Sequence, residues 1–191
     1  VEVKGTRLDL YNNSWYNPGG NALSRLLWYF TNAFLFKSYL FPVSGLKVQL
    51  LRWFGARVGE GVVIKPNVNI KYPWKLEIGN HVWVGEEVWI DNLGQVTIGN
   101  HACLSQGALL LCGNHDYSRA TFDLQVGNIT LEEGAWVGAR ALVGPGSLLK
   151  SHAVLSAGSI ATGTLEAWSV YRGNPAVMIR ERRWSDSPKA S

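Results

Sequence analysis

Aliphatic side chains return at every sixth position along most of this chain. Val58, Ile64 and Ile70 form one run, and two extra residues intervene before Ile78, Val84 and Ile90. Two more precede Ile98, Leu104 and Leu110, and after a longer break Leu131, Val137, Val143, Leu149, Leu155 and Ala161 resume the count. Four places after each stands a small or medium residue, such as Val62, Val82, Ala102, Ala135, Ser147 or Ser159. A helix of 3.6 residues per turn cannot hold a strict period of six on one face, whereas short strands separated by turns can. Three such strands close a triangular coil, and coils stack at the strand spacing of about 4.8 Å. The pattern predicts an all-β chain, a parallel β-helix of hexapeptide repeats with about five coils between residues 58 and 166. Glycine directly after the aliphatic residue, as at Gly59, Gly79, Gly99 and Gly138, marks the turns.

Three stretches fall outside this rhythm. Residues 1–57 form an aromatic-rich segment, within which Leu23 to Pro42 is dense in Leu, Phe, Trp and Tyr. A helical cap over the open first coil is the favoured reading, because solenoids need covered ends. A peripheral membrane contact through residues 23–42 is the other. Thr31, Asn32, Lys37 and Ser38 interrupt the run too often for a membrane-spanning helix. The repeat domain, 58–176, is broken by a loop at 113–129, too long for a simple corner. A short basic tail, 177–191, is expected to form at most a turn or two of helix.

Composition narrows the class. Hydrophobic residues make up 47% and charged residues 17%, which fits neither a disordered chain nor a soluble all-helical one. The net charge of +4 comes without clustered Lys and Arg, so a nucleic-acid partner is not expected. Cys103 and Cys112 lack metal-ligand spacing, and with no leader segment the simplest compartment is a reducing cytoplasm, at most the inner face of its membrane.

The broken repeat is where chemistry is expected. His81, His101 and His152 share one repeat phase and belong to solvated corners, whereas His115 stands outside the repeat at the base of the loop. An imidazole is a competent base at neutral pH. A hydroxyl attacking an activated thioester needs such a base, together with a donor for the oxyanion, here expected from a backbone N–H near the following coil. Cys112, three residues before His115, would offer a covalent route, although no helix N-terminus or cationic cluster is there to activate it.

These features resemble a known family. The hexad array, Asn114-His115-Asp116-Tyr117 and Gly173-Asn174-Pro175-Ala176 are similar to the hexapeptide-repeat acyltransferases. Ser14-Trp15-Tyr16-Asn17-Pro18, Tyr72-Pro73-Trp74-Lys75-Leu76 and Trp89-Ile90-Asp91-Asn92 resemble the colanic-acid-type exopolysaccharide acetyltransferases within it. The resemblance implies a left-handed β-helix, a homotrimer, acetyl-CoA as co-substrate in a groove between subunits, no metal, and transfer to a sugar or glycan hydroxyl. It assigns His115 as the catalytic base, Ala139, Ala157 and Thr162 as contacts to the acyl-CoA, and Arg180 as a cation for its phosphates, with Arg182 or Arg183 sharing that charge. For the acceptor side, Asn92, Asp91, Trp136 and Asp116 are the candidates. Asn92 is expected to face the cleft below the loop, Trp136 to stack on a sugar or cover a subunit contact, and Asp116 to orient the imidazole or form a turn. Many relatives carry Pro-Pro where this chain has Glu166-Ala167, so a different loop shape is expected there.

Two other classes share the fold. A γ-type carbonic anhydrase needs three histidine ligands, and five residues after His115 stands Ala120 rather than a second loop histidine. A non-catalytic scaffold using the aromatic segment is the other. Transfer to a different small acceptor, or of a longer acyl group, stays open within the first class.

Overall fold

The computed structural model describes residues 5–184. The chain enters along the outside of a triangular prism, caps its base with two helices, and then winds upward. Helix α1, Ala22–Thr31, begins at Asn21, whose side chain accepts a hydrogen bond from the Ser24 amide at 2.8 Å. A short wider turn follows over Asn32–Phe36, and α2 spans Ser44–Trp53.

From Arg57 the predicted rhythm is observed. Strands of two or three residues alternate among three parallel sheets, which form faces A, B and C of the prism. Face A starts with Arg57–Val58, face B with Val63–Ile64 and face C with Asn69–Ile70. Five complete coils stack in register, and Thr164–Leu165 and Ser169–Gly173 add strands to faces A and B. The inward residues are those of the hexad, with Ile64, Ile90, Leu110, Val137 and Leu155 fully buried, and Ser147 and Ser159 fill two of the small positions. The Ser147 hydroxyl is satisfied by the Gly144 carbonyl at 2.8 Å, so its burial leaves no orphan group.

The recurrent Gly-Asn pairs have a steric cause. The Asn80 side chain accepts from the Glu60 amide at 2.8 Å, and Asn100 does the same for Asn80 at 2.8 Å. Each asparagine oxygen thus lies where a Cβ on Gly59 or Gly79 would stand in the coil below. The A–B edge carries a column of left-handed residues: Gly61, His81, His101, Gly134, His152 and Trp168, with φ between 55° and 65°. His81 and His101 stack at 5.2 Å, and His152 lies 4.2 Å from Trp168, so these histidines are corner residues as expected.

The base is closed from inside. Trp28, Phe36, Val48 and Leu51 are buried against the first coil, and the Trp28 indole N–H donates to the Ile70 carbonyl at 2.9 Å. Lys47 is also buried, with Nζ on the Lys65 carbonyl at 2.9 Å, and burial pulls its pKa below the usual lysine range. Residues 1–57 are more than a cap, however. The stretch before α1 lies along the C–A edge and descends to the base: the Trp74 indole N–H donates to the Pro18 carbonyl at 2.7 Å, and the Tyr16 hydroxyl to the Leu93 carbonyl at 2.8 Å. The Arg7 amide reaches the Ala120 carbonyl at 2.7 Å. The Ser-Trp-Tyr-Asn-Pro and Tyr-Pro-Trp-Lys motifs are the two sides of this strap.

The tail corrects an expectation. Ala176–Glu181 forms an antiparallel strand on Ser169–Gly173 at the rim of face B rather than a helical turn, because the reversal at Asn174-Pro175 delivers the chain to an unpaired strand edge. The part of the tail beyond residue 184 lies outside the described residues. At Glu166, where Pro-Pro was absent, the turn is held by the Lys150–Glu166 ion pair at 2.8 Å and by the Tyr171 hydroxyl bonded to the Glu166 amide at 3.1 Å.

Truncating Trp28 to Ala should cost about 3–5 kcal/mol, the range for a buried large aromatic. Phe34→Ala, on the outer side of the same cap, should stay within about 0.5 kcal/mol of wild type. Urea unfolding of both variants checks the contrast.

Candidate active site

His115 ends a short antiparallel ribbon, Gly113–His115 paired with Leu124–Val126, that leaves the prism at the C–A edge. Its ring lies parallel to Phe122 at 4.4 Å and meets Tyr11 of the strap at 5.6 Å. Nδ1 stands 2.9 Å from the Phe122 carbonyl oxygen. A carbonyl oxygen can only accept, so Nδ1 carries the hydrogen and the lone pair belongs to Nε2. The result is a half-buried imidazole whose Nδ1 is tied down and whose Nε2 is left without a hydrogen-bond partner among the described residues, stacked on Phe122 with Tyr11 tilted against it.

Asp116 does not perform this orientation. Its carboxylate accepts from the Ser118 amide at 3.0 Å and from the Ser118 hydroxyl, with Arg119 at 3.6 Å, and these bonds hold its pKa below the usual carboxylate range. It forms the turn instead. Phe122, which supplies both carbonyl and stacking ring, was not singled out from sequence. Its partnership with His115 depends on how the loop returns, and no repeat phase marks it.

One acceptor candidate, Asn92, is placed differently from expectation, and Asp91 lies apart from His115. Asn92 is fully buried, not facing a cleft. Its amide bridges the Tyr72 amide at 2.9 Å and the Tyr72 and Lys75 carbonyls at 2.6 and 3.1 Å, closing the C–A corner where two residues are inserted. Asp91 is largely buried beside Lys71 at 2.8 Å and lines a groove against α1.

A separate groove of about 540 Å³ runs along face B and the B–C edge. Ala139 and Ala157 line it one coil above the other, the Gly158 amide donating to the Ala139 carbonyl at 2.9 Å. Arg180, Arg182 and Arg183 close its upper end, and Trp136, expected on the acceptor side, lies in its wall with the indole N–H on Ser105 Oγ at 2.9 Å. Only small residues could leave room there, since a Cβ on Gly138 would strike the Ala157 backbone. Arg182 is committed to the Gly134 and His152 carbonyls at 3.0 Å each, which anchors the tail and leaves Arg180 and Arg183 turned to the groove mouth. Thr162 is not part of this groove; it follows the face C strand Ile160–Ala161 at the C–A edge, on the side of His115.

One chain therefore splits the candidate set between two edges. His115 and Thr162 occupy C–A, while Ala139, Ala157, Trp136 and Arg180 occupy face B with its B–C edge. Among the described residues, no group of three or more His, Cys, Asp or Glu side chains gathers to hold a metal.

No protein-family model matches the chain. WcaF of Escherichia coli K12, assigned as a colanic acid biosynthesis acetyltransferase, is 40% identical over 164 residues, covering 86% of this chain and 90% of its own. The chain belongs to the hexapeptide-repeat acetyltransferases. The galactoside O-acetyltransferase of Escherichia coli K12 is 27% identical over 136 residues, or 70% of this chain and 67% of that one. The same fold occurs in a hexapeptide-repeat acetyltransferase from Vibrio cholerae solved with acetyl coenzyme A, with a TM-score of 0.75 at 17% identity over 84% of this chain and 88% of that one. For an acetyltransferase of this architecture, the position of Cys112 bears on whether the acyl group passes through the protein. The thiol is fully buried, and burial pushes its pKa up to about 11. That disfavours the thiolate an acyl-enzyme requires. Cys112→Ala should keep turnover within about threefold of wild type, measured by thiol release; a loss of about a hundredfold would restore the covalent route.

Proposed function

We propose that this acetyltransferase moves acetyl from acetyl-CoA directly onto a sugar hydroxyl in exopolysaccharide or surface-glycan synthesis, with His115 as general base. The observation that carries the reading is the clamped imidazole: Nδ1 is tied to the Phe122 carbonyl and Nε2 is left as the only basic nitrogen of the ring. The hydroxyl gives its proton to Nε2 as its oxygen attacks the thioester carbonyl. The Phe122 carbonyl favours the resulting imidazolium by accepting from the Nδ1 hydrogen. A backbone N–H at a neighbouring corner steadies the tetrahedral oxyanion. Collapse breaks the carbon–sulfur bond, and the CoA thiolate takes the proton back from Nε2, so the ring ends as it began.

The donor groove fits an extended thioester arm. It is apolar and lined by small residues at Ala139 and Ala157, with Trp136 in its wall, and it ends on Arg180 and Arg183, cations suited to phosphates. Because His115 and Thr162 lie on a different edge of the same chain, the reading requires a second copy, whose C–A edge lies beside this groove. A homotrimer satisfies this with three equivalent sites. The outward residues of faces B and C are mostly apolar, among them Trp83, Trp136, Leu109 and Leu142, with the polar Asn69 beside the cap, whereas face A presents Arg57, Glu77, Thr97, Thr130 and Thr164 with one leucine, Leu148. Faces B and C are therefore the natural subunit contacts.

The kinship with a colanic acid acetyltransferase supports a glycan acceptor, and the aromatic segment at residues 23–42 favours one held at the inner face of the membrane, as a lipid-linked intermediate would be. The test is thiol release from acetyl-CoA against a panel of sugars, sugar nucleotides and lipid-linked glycans. His115→Ala should lower the rate at least about a hundredfold. An unchanged rate would remove His115 as the base.

A further inference from the structure

The helical cap has a second face that the β-helix does not use. Trp28 points into the prism, whereas Leu23, Leu26, Leu27, Phe30 and Phe34 follow one another at helical spacing on the outside and are 48–69% exposed. Leu40, at the turn into α2, is 93% exposed. A stripe of this kind facing water at the end of a prism is an interaction surface.

Charge identifies what it meets. Between Asp9 and Glu60 the chain holds five cations, Arg25, Lys37, Lys47, Arg52 and Arg57, and no acidic residue. Lys47 is buried, Arg52 is bonded to the Val58 and Gly59 carbonyls, and Arg57 pairs with Glu77. Arg25, whose guanidinium reaches the Gly20 and Gly19 carbonyls only at 3.3 and 3.5 Å, and Lys37 have no carboxylate partner among the described residues, and both flank the apolar stripe. They also line a groove of about 380 Å³ between α1 and face C, together with Tyr29, Lys71, Trp89 and Asp91. Asp91 is answered by Lys71 at 2.8 Å, so the groove keeps a positive excess. A second copy docked on this stripe about a two-fold axis would bring like charges together, which disfavours it.

We propose that this end of the molecule docks on an anionic lipid leaflet. The outward stripe of α1 enters the boundary between headgroups and acyl chains, and the groove takes a headgroup phosphate through Arg25 and Lys37. No helix among the described residues is long and apolar enough to cross a membrane, so the contact is peripheral. The prism then stands on its base, with the His115 loop raised above the leaflet by the coils beneath it. Its purpose rests on the proposed transfer to a membrane-held glycan; its geometry does not.

Flotation of the full chain with lipid vesicles tests it. Phosphatidylcholine vesicles carrying about a third phosphatidylglycerol should float the wild type, and pure phosphatidylcholine vesicles should not. Leu26→Ser with Phe30→Ser should reduce partitioning at least about tenfold, and Arg25→Gln with Lys37→Gln about fivefold per charge removed. These side chains are exposed, so circular dichroism of each variant should match wild type. Failure of the wild type to float, or equal binding to both vesicle types, would overturn the proposal. So would variants that float normally while light scattering reports a changed oligomer, since the stripe would then be a contact between copies. Thiol release with a water-soluble acceptor should be unaltered in all variants, which separates this outcome from failure of the transferase reading.

Discussion

The structure depends on one repeated contact, the backbone hydrogen bonds that tie each short strand to the coil below it. Val63 donates to Val82, Trp83 to Ala102, Cys103 to Ala135 and Trp136 to Ala153, all at 2.8–3.1 Å. Bonds of this kind hold only if every coil turns its corners at the same places. That requirement explains the left-handed columns at the edges and the glycines beneath asparagine oxygens. It also explains the cap, because the first coil has no coil below it and must be covered by Trp28, Phe36 and Leu51.

A prism so regular has no interior cleft, and its chemistry must sit on edges and faces. The His115 ribbon leaves one edge, and the groove over Ala139 and Ala157 follows another. The N-terminal strap contributes where it was not expected to, by bringing Tyr11 against His115 and Arg7 against the far side of the loop. His115, strap and loop thus form one unit at the C–A edge, which the proposed trimer would set against the groove over Ala139 and Ala157 of a neighbouring copy. The rigid coils fix the spacing between the two parts, which is the pre-organisation a single-step transfer needs.

Periodicity made the coils legible, and breaks in periodicity made His115 legible. Ala139 and Ala157 came from the family resemblance, and their spacing of eighteen residues stacks them one coil apart along one groove. What the rhythm could not carry was decided by corners and loop ends. Asn92 has the polar character of a ligand contact, yet the two inserted residues at its corner leave backbone groups that only a buried amide satisfies. Asp116 stands next to His115 in sequence, but its short side chain is captured by Ser118 two residues on. Phe122 lies seven residues away and is brought back by the ribbon. Trp136 is outward, as its phase requires, and on face B it walls the groove over Ala139 and Ala157 rather than standing beside the His115 loop. The tail became a strand because face B ends in open hydrogen-bonding groups, a tertiary demand that local composition does not record.

The central claim is that an imidazole on one edge serves a groove on the face of a neighbouring copy. Co-refolding two inactive variants measures this directly: His115→Ala, which lacks the base, and Ala157→Trp, which fills the groove. Random assortment into trimers at equal ratio leaves about a quarter of the interfaces with both an intact base and an intact groove, so about a quarter of wild-type thiol release should return. Mixtures as inactive as either variant alone, with light scattering showing mixed trimers, would mean that base and groove act within one chain, and the account would be wrong.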